Sequence, residues 1–156
     1  MTIQQGKHAP FRWPALITQM QVIRYDVVFT HTCRYDIGKA DQGDINKLFG
    51  IGYFPHHSYQ SVRFGWNYLS SDNINIHAYW YLNGERFSKY LGSVKIGMRH
   101  TYVIMPSDKS HNLQVIGRGI ACTVPVPGSR FGYHLGPHFG GNQVAPHDVT
   151  IYMDKL

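Results

Sequence analysis

Hydrophobic and polar residues alternate with a period of two along much of this chain. Two early segments, QVIRYDVVFTH and SVRFGWNYL, each place their apolar residues on one parity. These residues are Ile23, Tyr25, Val27 and Phe29 in the first segment, and Val62, Phe64, Trp66 and Tyr68 in the second. Such alternation is typical of β-strands that bury one face.

The clearest alternation is in NINIHAYWYL, which ends at Asn83-Gly84. Asn-Gly is a preferred dipeptide for a two-residue hairpin turn, because both positions of that turn need a positive φ. The following segment, ERFSKYLGSVKI, is therefore predicted to return antiparallel beside the first.

Short strand candidates continue towards the C-terminus as HTYVIMP, NLQVIGR, ACTVPV, GYHLGPHF and HDVTIYM. Regular short strands separated by Gly, Pro, Asn and Asp predict an all-β fold, an antiparallel two-sheet sandwich or jelly roll of about eight to ten strands. Its predicted core includes Trp66, Trp80, Phe64, Ile76 and Ile151. A single helical turn is expected in GDINKLFG, capped by Asp44.

The length of 156 residues fits one domain. We expect an irregular N-terminal arm over residues 1–16, which lies across the sandwich or reaches a neighbouring subunit, and a β-sandwich domain over residues 17–156.

The formal net charge is +6, and the fifteen Lys and Arg residues are scattered. A diffuse positive charge favours anionic partners such as acidic glycans, but without a basic cluster no specific nucleic acid is expected. Cys33 and Cys122 are predicted to be buried free thiols. No signal peptide or membrane span is recognisable, so the expected location is cytoplasmic synthesis, with a virus particle as a further possibility.

The segment 136–148 contains two prolines, Pro137 and Pro146, and a Gly-Gly-Asn sequence, which together favour an ordered loop over a strand. His138 and His147 could converge there with Asp148 as an oxygen ligand, but an ordered corner without a metal or other cofactor is the expectation. The loop residues placed near a site are His138, Gly140, Gly141, Asn142, His147 and Asp148.

One strand face combines aromatic and polar side chains. If Ile74 to Leu82 alternate as predicted, five residues point away from the core: Arg63, Asn67, His77, Tyr79 and Tyr81. Tyrosine rings cover the C–H face of sugars while amide and guanidinium groups bind hydroxyls or carboxylates. The same face would equally suit contact with another subunit, so ligand or partner contact is predicted, with no catalytic residue assigned.

The segments PHHSYQSVRFGW, IHAYWYLNGER and YHLGPHFGGNQVAPHDVTIYM carry a resemblance. Together they resemble short uncharacterised jelly-roll proteins, similar to concanavalin-like lectins, from Bacteroidota and their phages, over roughly residues 44–154. The resemblance implies the fold and implies no activity.

Jelly-roll polysaccharide lyases use an Arg, a Gln-x-His strand and a Tyr-x-Lys strand. This chain offers Arg63, Asn75-Ile76-His77 and Ser88-Lys89-Tyr90 in a different order. A lyase is therefore the less favoured hypothesis, with His77 and Tyr79 as its acid–base pair.

Two functions of different class remain open. The first is a non-enzymatic, lectin-like carbohydrate-binding module. The alternative is a structural or assembly protein of a phage particle that uses the same face for subunit contacts. A glycan or other subunits are the expected partners, and a homo-oligomer is expected.

Overall fold

The computed structural model describes residues 1–10, 15–38 and 40–156. Within these ranges the regular structure is almost entirely β, apart from one turn of 3-10 helix at His31–Cys33. The strands are β1 (Thr2–Ile3), β2 (Leu16–Ile17), β3 (Ile23–Phe29), β4 (Asn46–Tyr53), β5 (Ser61–Asn67), β6 (Asn73–Leu82), β7 (Glu85–Lys95), β8 (Arg99–Pro106), β9 (His111–Ile116), β10 (Ile120–Val124), β11 (Gly132–Leu135) and β12 (Val149–Lys155).

The strands form two antiparallel sheets of six strands each. The first sheet has the order β1-β12-β3-β8-β9-β10, and the second has the order β2-β11-β4-β5-β6-β7. Strands from the start and the end of the sequence are neighbours in both sheets, since β1 pairs with β12 in the first sheet and β2 pairs with β11 in the second. The chain therefore crosses from one sheet to the other more than once. The prediction of an all-β antiparallel sandwich of the jelly-roll class is confirmed. The predicted number of about eight to ten strands is too low, because the described ranges hold twelve, two of which, β1 and β2, have only two residues each.

The core lies between the inner faces of the two sheets and is rich in aromatic contacts. Phe29 of the first sheet packs on Trp66 of the second with ring centroids 5.4 Å apart, and Phe64 meets Tyr102 at 5.1 Å. These four rings are almost completely buried. The burial of Phe29, Phe64 and Trp66 confirms the prediction that the apolar residues of their strands face the core.

Four of the five predicted core residues are fully buried, namely Trp66, Phe64, Ile76 and Ile151. The fifth prediction, Trp80, is wrong in degree, because its side chain is only partly buried. Trp80 lies near the end of β6, next to the edge strand β7, and stacks on Phe87 with ring centroids 5.5 Å apart. Its parity is that of the core, but its position is at the margin of the sandwich.

The single helical turn predicted in GDINKLFG does not form, because Asn46–Tyr53 is a strand in the middle of the second sheet. A register shift between Lys47 and Phe49 interrupts the period of two. The bulge makes the apolar residues fall at spacings that imitate a helix, which explains the error.

The predicted hairpin is confirmed. β6 and β7 pair through their whole length, and the turn residues Asn83 and Gly84 have φ values of 53° and 83°. Both positions are in the left-handed region that this turn type requires.

The N-terminal segment adds a short strand to each sheet. Thr2–Ile3 pairs with β12, and Leu16–Ile17 pairs with β11. Between them, the Gly6 amide donates to the Ala145 carbonyl at 2.9 Å, so this segment follows the loop that precedes β12. Cys33 and Cys122 are buried free thiols, as predicted. In the ranges that the structure covers, no helix is long and apolar enough to cross a membrane.

Candidate ligand-binding groove

The outer face of the second sheet carries the five residues predicted for ligand or partner contact. In the β5–β6 register, Arg63 lies opposite Tyr79, and Ser61 lies opposite Tyr81. The same register places Gly65 opposite His77. The structure therefore brings these side chains to one face, as does Asn67 at the end of β5.

The face is less exposed than the sequence suggested. Arg63, Asn67 and Tyr79 retain only 8%, 4% and 6% of their accessible surface, and His77 and Tyr81 are partly buried. Loops on either side cover this part of the sheet. Arg63, Tyr79 and Tyr81 thus line a groove and do not lie on an open sheet surface, whereas Asn67 and His77 are not among the residues that line it.

Two glycines of β4 make room for the groove floor. A Cβ atom on Gly50 would lie 2.7 Å from both Cα and Cγ of Arg63, and one on Gly52 would lie 2.8 Å from the Tyr133 ring. Both distances are shorter than ordinary carbon–carbon contacts. Arg63 and Tyr133 therefore pack directly against the backbone of Gly50 and Gly52, respectively.

The groove encloses a cavity of about 590 Å³. Its floor is formed by Lys47, Arg63, Tyr79 and Tyr81, and Arg86 lines one side. Two loops contribute His57, Ser58, Gly136, Pro137, His138, Gly140, Gly141 and Asn142. The cavity is also lined by Met1, Ala9, Pro10, Ala15, Tyr25, Phe49, His134, Leu135, Met153 and Lys155. This volume lies in the range of small-molecule and saccharide sites in proteins.

Four of the described residues that line the groove are Lys or Arg, and three of them, Lys47, Arg63 and Arg86, are close enough to one another to influence the pKa of Lys47. Lys47 Nζ donates to the Gly140 carbonyl oxygen at 3.0 Å and lies 5.0 Å from the centre of the Tyr79 ring. In the part of the chain that the structure describes, no carboxylate forms an ion pair with Lys47, Arg63 or Arg86. The groove consequently holds concentrated positive charge.

The pKa of Lys47 is lowered to about 8, first by burial and then by the positive charge of Arg63, while Asp44 acts in the opposite direction. Burial also lowers the pKa of Arg63 to about 10, and the surrounding tyrosines oppose this shift. Arg63 is therefore still charged at neutral pH. Burial raises the pKa of Tyr79 to about 12, so its phenol remains protonated.

Burial lowers the pKa of two histidines on this side of the second sheet, His138 and His77. Burial, followed by the charge of Lys47, lowers the pKa of His138 to about 4. The His138 ring stacks on His8 with centroids 5.1 Å apart and planes 8° from parallel. Burial also lowers the pKa of His77, whose Nε2 lies 3.3 Å from Asn67 Oδ1. The His138 ring is therefore neutral at pH 7 and offers hydrogen bonds and a ring face without adding charge.

The loop of residues 136–148 is divided between two surroundings. His138, Gly140, Gly141 and Asn142 line the groove, whereas His147 and Asp148 do not. His147 Nε2 is 2.8 Å from the Thr32 carbonyl oxygen, and Asp148 accepts a hydrogen bond from the Gln5 amide at 2.8 Å. His138 and His147 therefore do not converge on one ion. Over the described ranges, no group of three or more His, Cys, Asp or Glu side chains is placed to hold a metal.

The groove residues that sequence reasoning missed include Lys47, His57 and Arg86. It also missed Tyr133, which lies close enough to Arg63 to influence its pKa. Lys47 was hidden by the helical interpretation of its segment. Arg86 could have been found, because a two-residue turn at Asn83-Gly84 fixes the pairing of Arg86 with Tyr81 that the structure shows. The Gly-x-Gly alternation of Gly50 and Gly52 was the remaining signal for a strand whose outer face is approached closely by other groups.

Comparison with known proteins gives a limited result. No family model matches the chain, and no curated protein matches it. A solved structure, an alginate lyase from Alteromonas sp. 272, is similar with a TM-score of 0.48 and 12% sequence identity. The likeness covers 85% of this chain and spans 57% of the lyase chain. At this level of similarity, nothing about activity follows from it.

Proposed function

We propose that this protein binds an acidic saccharide, a carbohydrate that carries carboxylate or sulfate groups, in the groove on the second sheet. The observation that carries the proposal is the buried guanidinium of Arg63, which has no carboxylate partner in the described structure. A buried charge is costly unless it is paired, so an unpaired buried cation in an open groove favours a ligand that supplies the anion.

The neighbouring groups favour a saccharide over a simple inorganic anion. Tyr79, Tyr81 and Tyr133 surround Arg63 closely enough to influence its pKa. Aromatic rings beside cations suit a ligand that presents both C–H surface and negative charge. Arg86 and Lys47 extend the positive charge along the groove, which suits more than one acidic group.

The proposal is tested by calorimetric titration with an oligouronate and with a neutral oligosaccharide of equal length. The acidic ligand should bind, and its affinity should fall as salt rises. Arg63→Gln should weaken binding strongly, whereas Arg99→Gln, on the first sheet, should change it very little. Equal binding of the neutral ligand would contradict the proposal. Self-association of the parent protein that Arg63→Gln abolishes, without any saccharide binding, would support the assembly function instead.

A second candidate is β-eliminative cleavage of a uronate-containing saccharide. It is favoured by the near-neutral pKa of Lys47, about 8, beside the charged Arg63. In such a reaction a base removes the proton α to the carboxylate, and a cation stabilises the charge that develops on the carboxylate. Lys47 would be the base and Arg63 the cation.

The lyase candidate is tested by incubating the protein with polyuronates and following the ultraviolet absorbance of the unsaturated product. Lys47→Arg should remove any activity while keeping the charge of the groove. The His77 and Tyr79 pair considered from the sequence is less suitable, since His77 interacts with Asn67 and with the Tyr90 ring. Binding without any product would leave the protein a saccharide-binding module.

A further inference from the structure

Three features of the Lys47 surroundings bear on the reactivity of its amine. It lies in a groove, its one described hydrogen bond goes to a neutral carbonyl, and its nearest ring is that of Tyr79. No ion pair with a carboxylate holds it among the residues described. The nitrogen is therefore accessible to a small molecule that enters the groove.

The charged and titratable groups around this amine come from several elements. They are Arg63 of β5, Arg86 of β7, Asp44 before β4, and His138 in the loop after β11. Arg63 lies directly opposite Tyr79 in the β5–β6 pairing, and Lys47 Nζ lies over the ring of that same tyrosine. The amine and the guanidinium are thus brought to one place on the groove floor.

Burial and the Arg63 charge lower the pKa of Lys47 to about 8. At pH 7 roughly 10% of such an amine is neutral, against roughly 0.04% for a lysine with an ordinary pKa near 10.4. Only the neutral amine has a lone pair for attack on a carbonyl carbon. Desolvation and a neighbouring cation are the established means of activating lysines for imine chemistry.

We propose that Lys47 forms a reversible imine with small 2-oxo acids, whose carboxylate is bound by Arg63. The Lys47 nitrogen attacks the carbonyl carbon, and a C–N bond forms as the C=O π electrons move to oxygen. The two amine hydrogens leave with that oxygen as one molecule of water, and the product is a C=N bond. No oxidant or reductant is consumed, so the reaction is reversible by hydrolysis.

The preference for 2-oxo acids follows from the adjacency of the two cationic groups. A 2-oxo acid carries its carboxylate on the carbon next to the carbonyl, so one small molecule can contact a guanidinium and an amine at once. A neutral aldehyde gains nothing from Arg63. The proposal concerns covalent capture of a small molecule, and it does not depend on saccharide binding.

The test is reductive trapping of pyruvate with cyanoborohydride at pH 7, followed by mass spectrometry of the intact protein and of its peptides. Hydride reduces the imine to a stable secondary amine, so each captured pyruvate remains on its lysine. We expect Lys47 to be labelled at least about tenfold faster than the exposed Lys95, since burial and the Arg63 charge enlarge the neutral fraction of Lys47. Labelling spread evenly over exposed lysines, or confined to the Met1 amine that also lines the cavity, would overturn the proposal.

Two variants separate the amine from the carboxylate site. Lys47→Arg keeps the positive charge and should lose the adduct, with an unchanged melting temperature as evidence of folding. Arg63→Gln should slow labelling by pyruvate more than labelling by propanal, which has no carboxylate. Equal slowing of the two would contradict the role given to Arg63.

The failure of this proposal is distinguishable from failure of the proposed function. Binding of a non-reducing acidic oligosaccharide requires no carbonyl group and is measured without a trapping reagent. If that ligand binds while pyruvate does not label Lys47, the imine proposal alone is wrong. If pyruvate labels Lys47 while no acidic saccharide binds, the imine proposal stands and the saccharide proposal is wrong.

Discussion

The charged residues on the outer faces of the two sheets differ in whether they form ion pairs. On the first sheet, Arg99 lies 3.2 Å from Asp154 and 3.5 Å from Asp26, and Asp26 also accepts a hydrogen bond from Thr101 at 2.6 Å. On the second sheet, Lys47 and Arg63 have no such partners in the described structure. Paired charges on a solvated face satisfy one another, whereas unpaired buried cations lower the stability of the empty protein.

The two faces also differ in how far their arginines are buried. The Arg99 side chain keeps 59% of its accessible surface, whereas Arg63 keeps 8%, although both residues lie on the outward side of their sheets. Loops cover part of the second sheet, and Gly50 and Gly52 of β4 leave room for the side chains that pack against them. The burial of unpaired cations in the groove lowers the stability of the protein. Functional sites commonly have this effect, so the loss is consistent with binding of a ligand there.

The largest effect is expected when a groove cation is removed in the presence of ligand. Arg63→Gln should weaken binding of an acidic oligosaccharide by about 2–5 kcal/mol, because the bound carboxylate would lose a buried, charge-assisted hydrogen-bonding partner. Arg99→Gln is the matched control and should change the affinity by less than about 0.5 kcal/mol. Calorimetric titration of both variants provides the measurement. Similar losses in both would mean that only the overall charge of the protein matters.

The next largest effect concerns the groove floor. Gly50→Ala would place a methyl group against the Val62 carbonyl and the Arg63 backbone, and overpacking of this kind costs about 1–3 kcal/mol of unfolding free energy. Gly136→Ala is the control, since a Cβ there meets nothing within 4 Å. Urea denaturation of the two variants compares them directly. A Gly50→Ala protein as stable as the parent would show that the floor is not tightly packed.

The strands of the sandwich could largely be predicted from the sequence, and the groove could be predicted only in part. Period-two alternation is a local property, so β3, β6 and the hairpin to β7 were identified correctly. Arg63 and Tyr79 followed from the same parity. Lys47 could not be found in this way, because the bulge beside it breaks the parity and the isolated bridge from Lys47 to His138 joins residues far apart in sequence.

The degree of burial of the outward-facing residues could not be predicted from the sequence either. Parity indicates which side of a sheet a residue faces, but loop packing decides whether that side is covered. Tyr79 was predicted to point away from the core, and the structure nevertheless buries all but 6% of its surface. For the same reason, His147 and Asp148 were grouped with His138, although their contacts are with Thr32 and Gln5.

A smaller effect, of opposite sign, is expected for the empty protein. Lys47→Met should raise the unfolding free energy by about 1–2 kcal/mol at pH 7, because it removes a partly buried cation that faces Arg63 and adds apolar surface. The folded-state pKa of Lys47, about 8, is below its unfolded value. The unfolded chain therefore holds this proton more tightly, and the penalty is complete below pH 8.

The same linkage predicts a pH dependence. As pH rises from about 8 towards 10, the folded state loses the Lys47 proton first, so the parent protein should gain stability relative to Lys47→Met. The difference between the two proteins, measured by urea denaturation at several pH values, isolates this residue from other titrating groups. A difference that does not change between pH 7 and pH 10 would show that Lys47 is charged normally in the folded state.

The smallest effect is expected on the opposite sheet. Arg99→Met should lower the unfolding free energy by at most about 1 kcal/mol, because an exposed ion pair loses most of its Coulomb energy to solvent, even when one cation contacts two carboxylates. Whatever loss is found should shrink in high salt, as exposed charges are screened. Arg24→Met is the matched control, since Arg24 lies on the neighbouring strand and forms no ion pair among the described residues. The two sheets therefore predict changes of opposite sign for the same substitution, a gain in stability for Lys47→Met and a slight loss for Arg99→Met. If Arg99→Met stabilised the protein as much as Lys47→Met, the excess positive charge of the whole chain would explain both results, and the groove would have no special electrostatic role.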